Sequence, residues 1–315
     1  MSRISPGRLV GAQALTGPAP PPAVSSFIPV VHETDFQDVL TAGGQPTCLG
    51  RGVFGEVSLK REKSGSGALV AFKTLTSALD MNASYQEMVR ELRAMMAVQH
   101  RPEFPKLLGI VSQTTFALEF VCDALTMQSR TLRSVVDQPP VGLYDVWLVK
   151  ICGDVARGLQ ALHYAGWSHN DLHCSNVLVW RQPSAYGDIW GAKIIDLGKA
   201  SQLNNPPPAK EYDPATKAHC YQHCIHISPE VIEGTIQLGV LTDLYSLGYL
   251  FSVVSYSNPH LTVIETLHQQ CRRAPRDRPL MQSIIQDIDG FQTALFQQAM
   301  HTLNASTQPK VYQLF

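Results

Sequence analysis

Apolar and polar residues alternate in short runs over the first third of the chain and recur at helical spacing afterwards. Four runs predict strands: Glu56–Leu59, Ala68–Lys73, Leu107–Val111 and Phe116–Val121. Ser64-Gly65-Ser66-Gly67 between the first two predicts a hairpin turn. One helix interrupts the strands, over Tyr85–Val98, with Val89, Leu92, Met95 and Met96 on its apolar face. After Pro140 the pattern turns helical. Leu143–Ala165 carries a stripe of Val146, Val149, Val155, Leu159 and Leu162. Thr242–Ser255, Leu261–Arg272 and Leu280–Ile288 are further helices. A small β-rich part followed by a larger helical part predicts an α+β fold of two lobes. Residues 1–42 read as a disordered proline-rich leader, 43–121 as the small lobe, 122–292 as the large lobe and 293–315 as a tail.

Composition narrows the function classes. The 315 residues include 25 Lys+Arg against 26 Asp+Glu, a balance that argues against a broad electrostatic nucleic-acid binder. Seven cysteines, odd in number and without a C-x-x-C, argue against a disulfide scaffold and for an intracellular chain, cytoplasmic or nuclear. The most apolar stretch, Leu244–Val254, is too short to span a bilayer, so no membrane partner is expected. Pro18 and Pro21 have the PxxP spacing of a ligand for an SH3-like partner, beside the plainer reading of an extended linker.

Four motifs carry candidate chemistry. In Leu49-Gly50-Arg51-Gly52-Val53-Phe54-Gly55-Glu56-Val57, three glycines let backbone amides approach phosphate. The motif lies between strands, which disfavours a Rossmann turn, where a helix N-terminus must follow. Lys73, charged within an apolar run, is a point charge for phosphate oxygens, and Glu91 on the following helix is its natural partner. In His169-Asn170-Asp171-Leu172-His173-Cys174-Ser175-Asn176, a carboxylate stands five residues before an amide and an apolar strand follows. That arrangement suits phosphoryl transfer: Asp171 meets the attacking hydroxyl and Asn176 holds a metal ion. Asp196, ending the run Ile194-Ile195-Asp196-Leu197-Gly198, offers a second magnesium ligand.

In their order and spacing these motifs resemble the signature set of eukaryotic-type protein kinases, over about residues 46–290. Ser228-Pro229-Glu230 stands in place of Ala-Pro-Glu, Asp196-Leu197-Gly198 in place of Asp-Phe-Gly, and Asp243–Gly248 resembles the start of the central helix. Arg278 resembles the arginine that pairs with Glu230. Leu118-Glu119-Phe120-Val121 is similar to the gatekeeper and hinge. The resemblance implies that Glu119 and Val121 meet adenine and that Val57, Ala71 and Leu178 sandwich it. It implies ATP and Mg²⁺ as cofactors and a protein substrate.

Four departures qualify the expectation. Asn170 replaces the arginine of His-Arg-Asp, so activity independent of activation-loop phosphorylation is expected. His173 stands where serine/threonine kinases usually carry lysine and resembles small-molecule kinases instead. His219–His226 is dense in His and Cys, but fits no standard zinc spacing. Pairs at i,i+4 would need a helix there, so the segment reads as a His-rich loop. The 35 residues from Asp243 to Arg278 leave a helix of the large lobe reduced or missing. The expected function is ATP-dependent phosphorylation of a protein hydroxyl, Ser/Thr rather than Tyr. The alternatives are a nucleotide-binding scaffold and a small-molecule kinase.

Overall fold

The computed structural model describes residues 28–52, 55–76, 81–185 and 187–307. Two of the expected glycine-loop contacts, Val53 and Phe54, lie outside the described residues, as do Pro18 and Pro21. The small lobe is a six-stranded sheet with one helix. Its strands are β1 (Phe36–Asp38), β2 (Cys48–Gly52), β3 (Gly55–Glu62), β4 (Leu69–Leu75), β5 (Leu107–Ile110) and β6 (Thr115–Glu119). Pairing is antiparallel in the order β1-β3-β4-β6-β5, with β2 on β3. The β3–β4 turn falls where Ser64–Gly67 predicts it, and Gly65 and Gly67 adopt φ of 66° and 64° there. Strand β1 lies inside the segment read as a leader. Phe36 packs at a tilt on Phe72, ring centroids 5.1 Å apart, and this contact brings residues of the expected leader into the sheet.

Helix α1 (Met81–Val98) begins a turn before its expected start. Its buried face is Met88, Leu92 and Met95, while Val89 and Met96 are only half-buried. The stripe is therefore rotated from the one the sequence predicts, and the rotation turns Glu91 inward.

The large lobe contains strands β7 (Arg130–Thr131), β8 (Trp167–Ser168), β9 (Val177–Ser184), β10 (Gly187–Ile194) and β11 (Ser201–Gln202) among seven helices. The helices are α2 (Leu132–Asp137), α3 (Asp145–Tyr164), α4 (Pro214–His223), α5 (Pro229–Ile232), α6 (Val240–Ser257), α7 (Thr262–Cys271) and α8 (Met281–Thr307). Val149, Val155, Leu159 and Leu162 of α3 are fully buried, as the stripe predicts, while Val146, in the first turn, is only half-buried. Helix α6 buries Leu244, Leu247, Leu250, Phe251 and Val254 together with Asp243 and Ser246, and so is enclosed nearly all round. Only Asn258 to Leu261 separate α6 from α7, consistent with the short interval to Arg278. Helix α8 runs well past Ile288, the expected end, to Thr307.

Of segment 219–226, expected as a loop, residues 219–223 form the end of helix α4 and only 224–226 lie outside it. The reason is local. Asp213 accepts from the backbone N–H of Ala215 and Thr216 at 3.0 and 2.9 Å, and Pro214 occupies the first helical turn. Among the described residues, no helix is long and apolar enough to cross a membrane.

Candidate active site

Strand pairing brings the predicted residues into one cleft. In β3–β4, Val57 faces Lys73, and in β4–β6, Lys73 faces Phe116 and Ala71 faces Leu118. Lys73 Nζ donates to both carboxylate oxygens of Glu91, at 2.6 and 2.9 Å, and to Asp196 Oδ1 at 2.9 Å. Two carboxylates, 18 and 123 positions along the chain, thus share one ammonium group. Glu91 is buried; burial pushes its carboxyl up, against the pull of Lys73. Burial acts to lower Lys73, but the charges of Glu91 and Asp196 outweigh it and hold the amine above its ordinary range. A cavity of about 120 Å³ lies here, lined by Lys73, Glu91, Asp171, Asp196, Gly198 and Lys199 among others.

The glycines of the β2–β3 hairpin divide into two kinds. Gly55 has φ of 153°, and a Cβ there would sit 2.2 Å from the Thr74 carbonyl oxygen, so the fold itself demands glycine. Gly50 and Gly52 have nothing within 4 Å of a built Cβ. Their missing side chains leave space beside the strand rather than relieve a clash. Arg51 and Glu56 pair across the hairpin at 2.6 Å on the surface.

The loop carrying Asp171 hangs from α6. Asp243, fully buried, accepts from the backbone N–H of His169 and Asn170, each at 2.8 Å, and its Oδ2 lies 2.9 Å from His163 Nε2. Asn170 adopts φ of 66° and donates through Nδ2 to the Lys199 carbonyl and to Ser201 Oγ, at 2.8 and 2.9 Å. Asn176 Nδ2 donates to the Asp171 carbonyl at 2.9 Å, which fixes the amide and assigns its oxygen the opposite direction. Asp196 also has positive φ, 63°, and accepts from Gly198 N at 3.3 Å. Its carboxyl is held below the ordinary range because Lys73 outweighs the effect of burial. Asn176 and Asp196 form an all-oxygen donor set, the hard ligands that a magnesium ion takes, so the residues present fit that ion.

Two neighbours of Asp171 are absent from the sequence reading. His226 Nε2 and Lys199 Nζ stand 3.2 and 3.0 Å from Asp171 Oδ1. Burial opposes ionisation, but the His226 hydrogen bond and the Lys199 charge prevail, bringing the carboxyl down to about 2. Lys199 follows Gly198 directly, and its proximity was readable in principle. His226 lies 55 positions away, and no local pattern announces the contact.

At the other end of the cleft, the backbone N–H of Glu119 is spent on the Lys106 carbonyl at 2.9 Å, and its side chain pairs with Lys193 at 3.0 Å. Ala71 is buried, while Val57 and Leu178 are half-buried. Outside the cleft, Arg278 Nη2 meets Glu230 Oε1 at 2.5 Å, the pair that the sequence predicts.

A family model described as the protein kinase domain matches residues 45–302, most of the chain. The chain belongs to the protein kinase family. It is 25% identical over 225 residues to cyclin-dependent kinase C-2 C of Arabidopsis thaliana, covering 70% of this chain and 32% of that protein. It is 24% identical over 259 residues to a probable serine/threonine-protein kinase of Dictyostelium discoideum, covering 76% and 49%. It is 27% identical over 194 residues to dual specificity testis-specific protein kinase 2 of Mus musculus, covering 58% and 31%. The chain thus spans about a third to a half of the length of these relatives. As a protein kinase domain it has the two-lobed fold of the family, and the motifs at Lys73, Asp171 and Asp196 meet at the junction of the lobes.

Proposed function

We propose that this protein kinase is catalytically competent and transfers the γ-phosphate of ATP to a protein hydroxyl of the serine/threonine class. The observation that carries the reading is the joint contact of Lys73 with Glu91 and Asp196, beside Asp171 in one cavity. The name of the Dictyostelium discoideum relative, a probable serine/threonine-protein kinase, supports a serine/threonine acceptor. In this reading Lys73 places the phosphates and Asp171 Oδ1 orients the acceptor hydroxyl and takes its proton. Asn176 and Asp196 hold Mg²⁺, which supplies charge neutralisation on the transferring phosphate when bound. With a carboxyl as weakly basic as that of Asp171, the chemistry relies on positioning and electrostatics more than on proton abstraction.

Asn170 supports a loop that needs no phosphate. Its amide already holds the Lys199 carbonyl and Ser201 with neutral hydrogen bonds. Phosphatase-treated protein is therefore expected to keep its activity, and a loss on treatment would refute this.

One observation favours the scaffold alternative: His226 and Lys199 already occupy the approach to Asp171 Oδ1. Two measurements separate the readings, a thermal shift with Mg·ATP and transfer of labelled phosphate to a peptide array. Binding without transfer establishes a scaffold. Transfer that disappears in Asp171→Ala, with the nucleotide shift retained, establishes the kinase and its base. A metabolite panel run beside the array tests the small-molecule alternative.

A further inference from the structure

Asp171, His173 and His226 are, among the described residues, the one cluster of three metal-ligating side chains. Their ligand atoms all lie within 4.8 Å of one another. Zinc–nitrogen and zinc–oxygen bonds of about 2.0–2.2 Å set tetrahedral ligands about 3.3 Å apart, so a modest contraction closes the site. The Asp171–His226 separation of 3.2 Å is already at that value. The imidazoles of His173 and His226 meet edge to face, with centroids 4.9 Å apart.

We propose that these three side chains form a binding site for a zinc-class divalent ion at the acceptor end of the cleft, and that the occupied site blocks phosphoryl transfer. The blocking half rests on the kinase reading above; the site itself does not.

The cluster is held from two sides. The His226 carbonyl accepts from Ser246 Oγ on α6 at 2.8 Å, and His173 Nδ1 accepts from Ser175 N at 3.2 Å. Asp171 and His226 side chains are largely enclosed, at 14% and 15% exposure, yet open enough to admit an ion. Coordination through His173 Nε2 moves the ring proton to Nδ1 and gives up the bond from Ser175; coordination through His226 Nε2 likewise moves its proton to Nδ1 and replaces its hydrogen bond to Asp171. Lys199 competes for the same carboxylate oxygen, and its half-exposed side chain can turn outward when the ion enters.

Donor chemistry separates this ion from magnesium. Two imidazoles and one carboxylate suit zinc and its neighbours, whereas Asn176 and Asp196 offer oxygen alone. Three protein ligands leave a fourth position for water or an acceptor oxygen. An ion there takes the Asp171 lone pair that would meet the acceptor proton. Positions 173 and 226 both fall where the sequence departs from the usual kinase pattern, and both departures converge on one carboxylate.

The test uses the full chain, stripped of metal and titrated with Co²⁺ and Zn²⁺ by calorimetry and by visible absorption. One ion per chain with a tetrahedral cobalt spectrum is expected. His173→Ala and His226→Ala should each weaken binding roughly tenfold or more, a loss at least as large as that of an outer-shell partner. Melting curves confirm that each variant is folded; should His226→Ala fail to fold, His173→Ala alone carries the comparison. A combined His219→Ala, Cys220→Ser, His223→Ala and Cys224→Ser variant on α4 should bind as the parent does. No bound ion at micromolar zinc, or affinity that follows the α4 variant, overturns the site. Phosphoryl transfer that persists with zinc bound overturns the blocking role. A chain that binds zinc but never transfers phosphate removes the kinase reading and leaves the site standing.

Discussion

Asp171 shows how one side chain's chemistry is set by groups remote in sequence. Its carboxyl sits at about 2 because His226 donates to it and Lys199 faces it. Removing the donor in His226→Ala moves that carboxyl up toward the ordinary aspartate value near 3.9. A carboxyl titration followed by NMR checks the direction, and an unchanged value would mean Lys199 alone sets it. The parent keeps Asp171 ionised throughout pH 5–8. An acid limb of kcat in that window belongs to another group, and Asp171→Asn cannot be used to mimic it. Lys73 was legible in the sequence because a charge inside an apolar strand is locally anomalous. Glu91 was legible because it sits one helix later. His226 was not, because local patterns carry no information on which loop returns to which carboxylate. The sequence drew attention to the whole segment 219–226, but only His226 of it joins the cluster around Asp171, while the rings of His219 and His223 meet each other at 4.7 Å.

Among the elements, the β2–β3 hairpin separates fold from chemistry. Gly55→Ala places a methyl 2.2 Å from a carbonyl oxygen at positive φ. A loss of about 1–3 kcal/mol is expected, read as a lowered urea midpoint. Gly52→Ala meets open space and should leave that midpoint within about 0.5 kcal/mol, the range for benign surface changes. Its effect should fall instead on the thermal shift produced by Mg·ATP. Equal destabilisation by both variants would refute the division. Helix α4 shows the opposite case in legibility. Its start signal, Asp213-Pro214, stood in the sequence, but the histidine and cysteine content drew the segment toward a loop. The α1 stripe was legible in period and not in phase, since Val89 and Met88 are both apolar and only tertiary packing selects Met88 for burial.

The whole molecule is tied together through α6. Asp243 satisfies two backbone donors of the catalytic loop and contacts His163 of α3. Asp243→Ala would leave those donors unsatisfied, at about 1–3 kcal/mol each. The expected result is a lower urea midpoint together with lost phosphoryl transfer. Retained transfer at full stability would show that water replaces the carboxylate. The two-lobed layout was legible because the change from strand-like runs to helical spacing near Pro140 is coarse and survives boundary errors. The place of β1 was not, since a three-residue strand gains its stability from Phe36 on Phe72, a contact with no local period.

The suspension of the Asp171 loop from Asp243 has a mechanical consequence. The groups that meet an acceptor are anchored to the helical lobe, whereas Lys73 and Glu91 travel with the β-rich lobe. A rotation that opens the lobes stretches Lys73–Asp196, at 2.9 Å, and Arg90–Gly198, at 3.0 Å, and leaves Asp171 in register with α6. On the proposed kinase reading, nucleotide exchange and acceptor alignment are thus separate degrees of freedom, and spent nucleotide would leave without dismantling the seat of the acceptor.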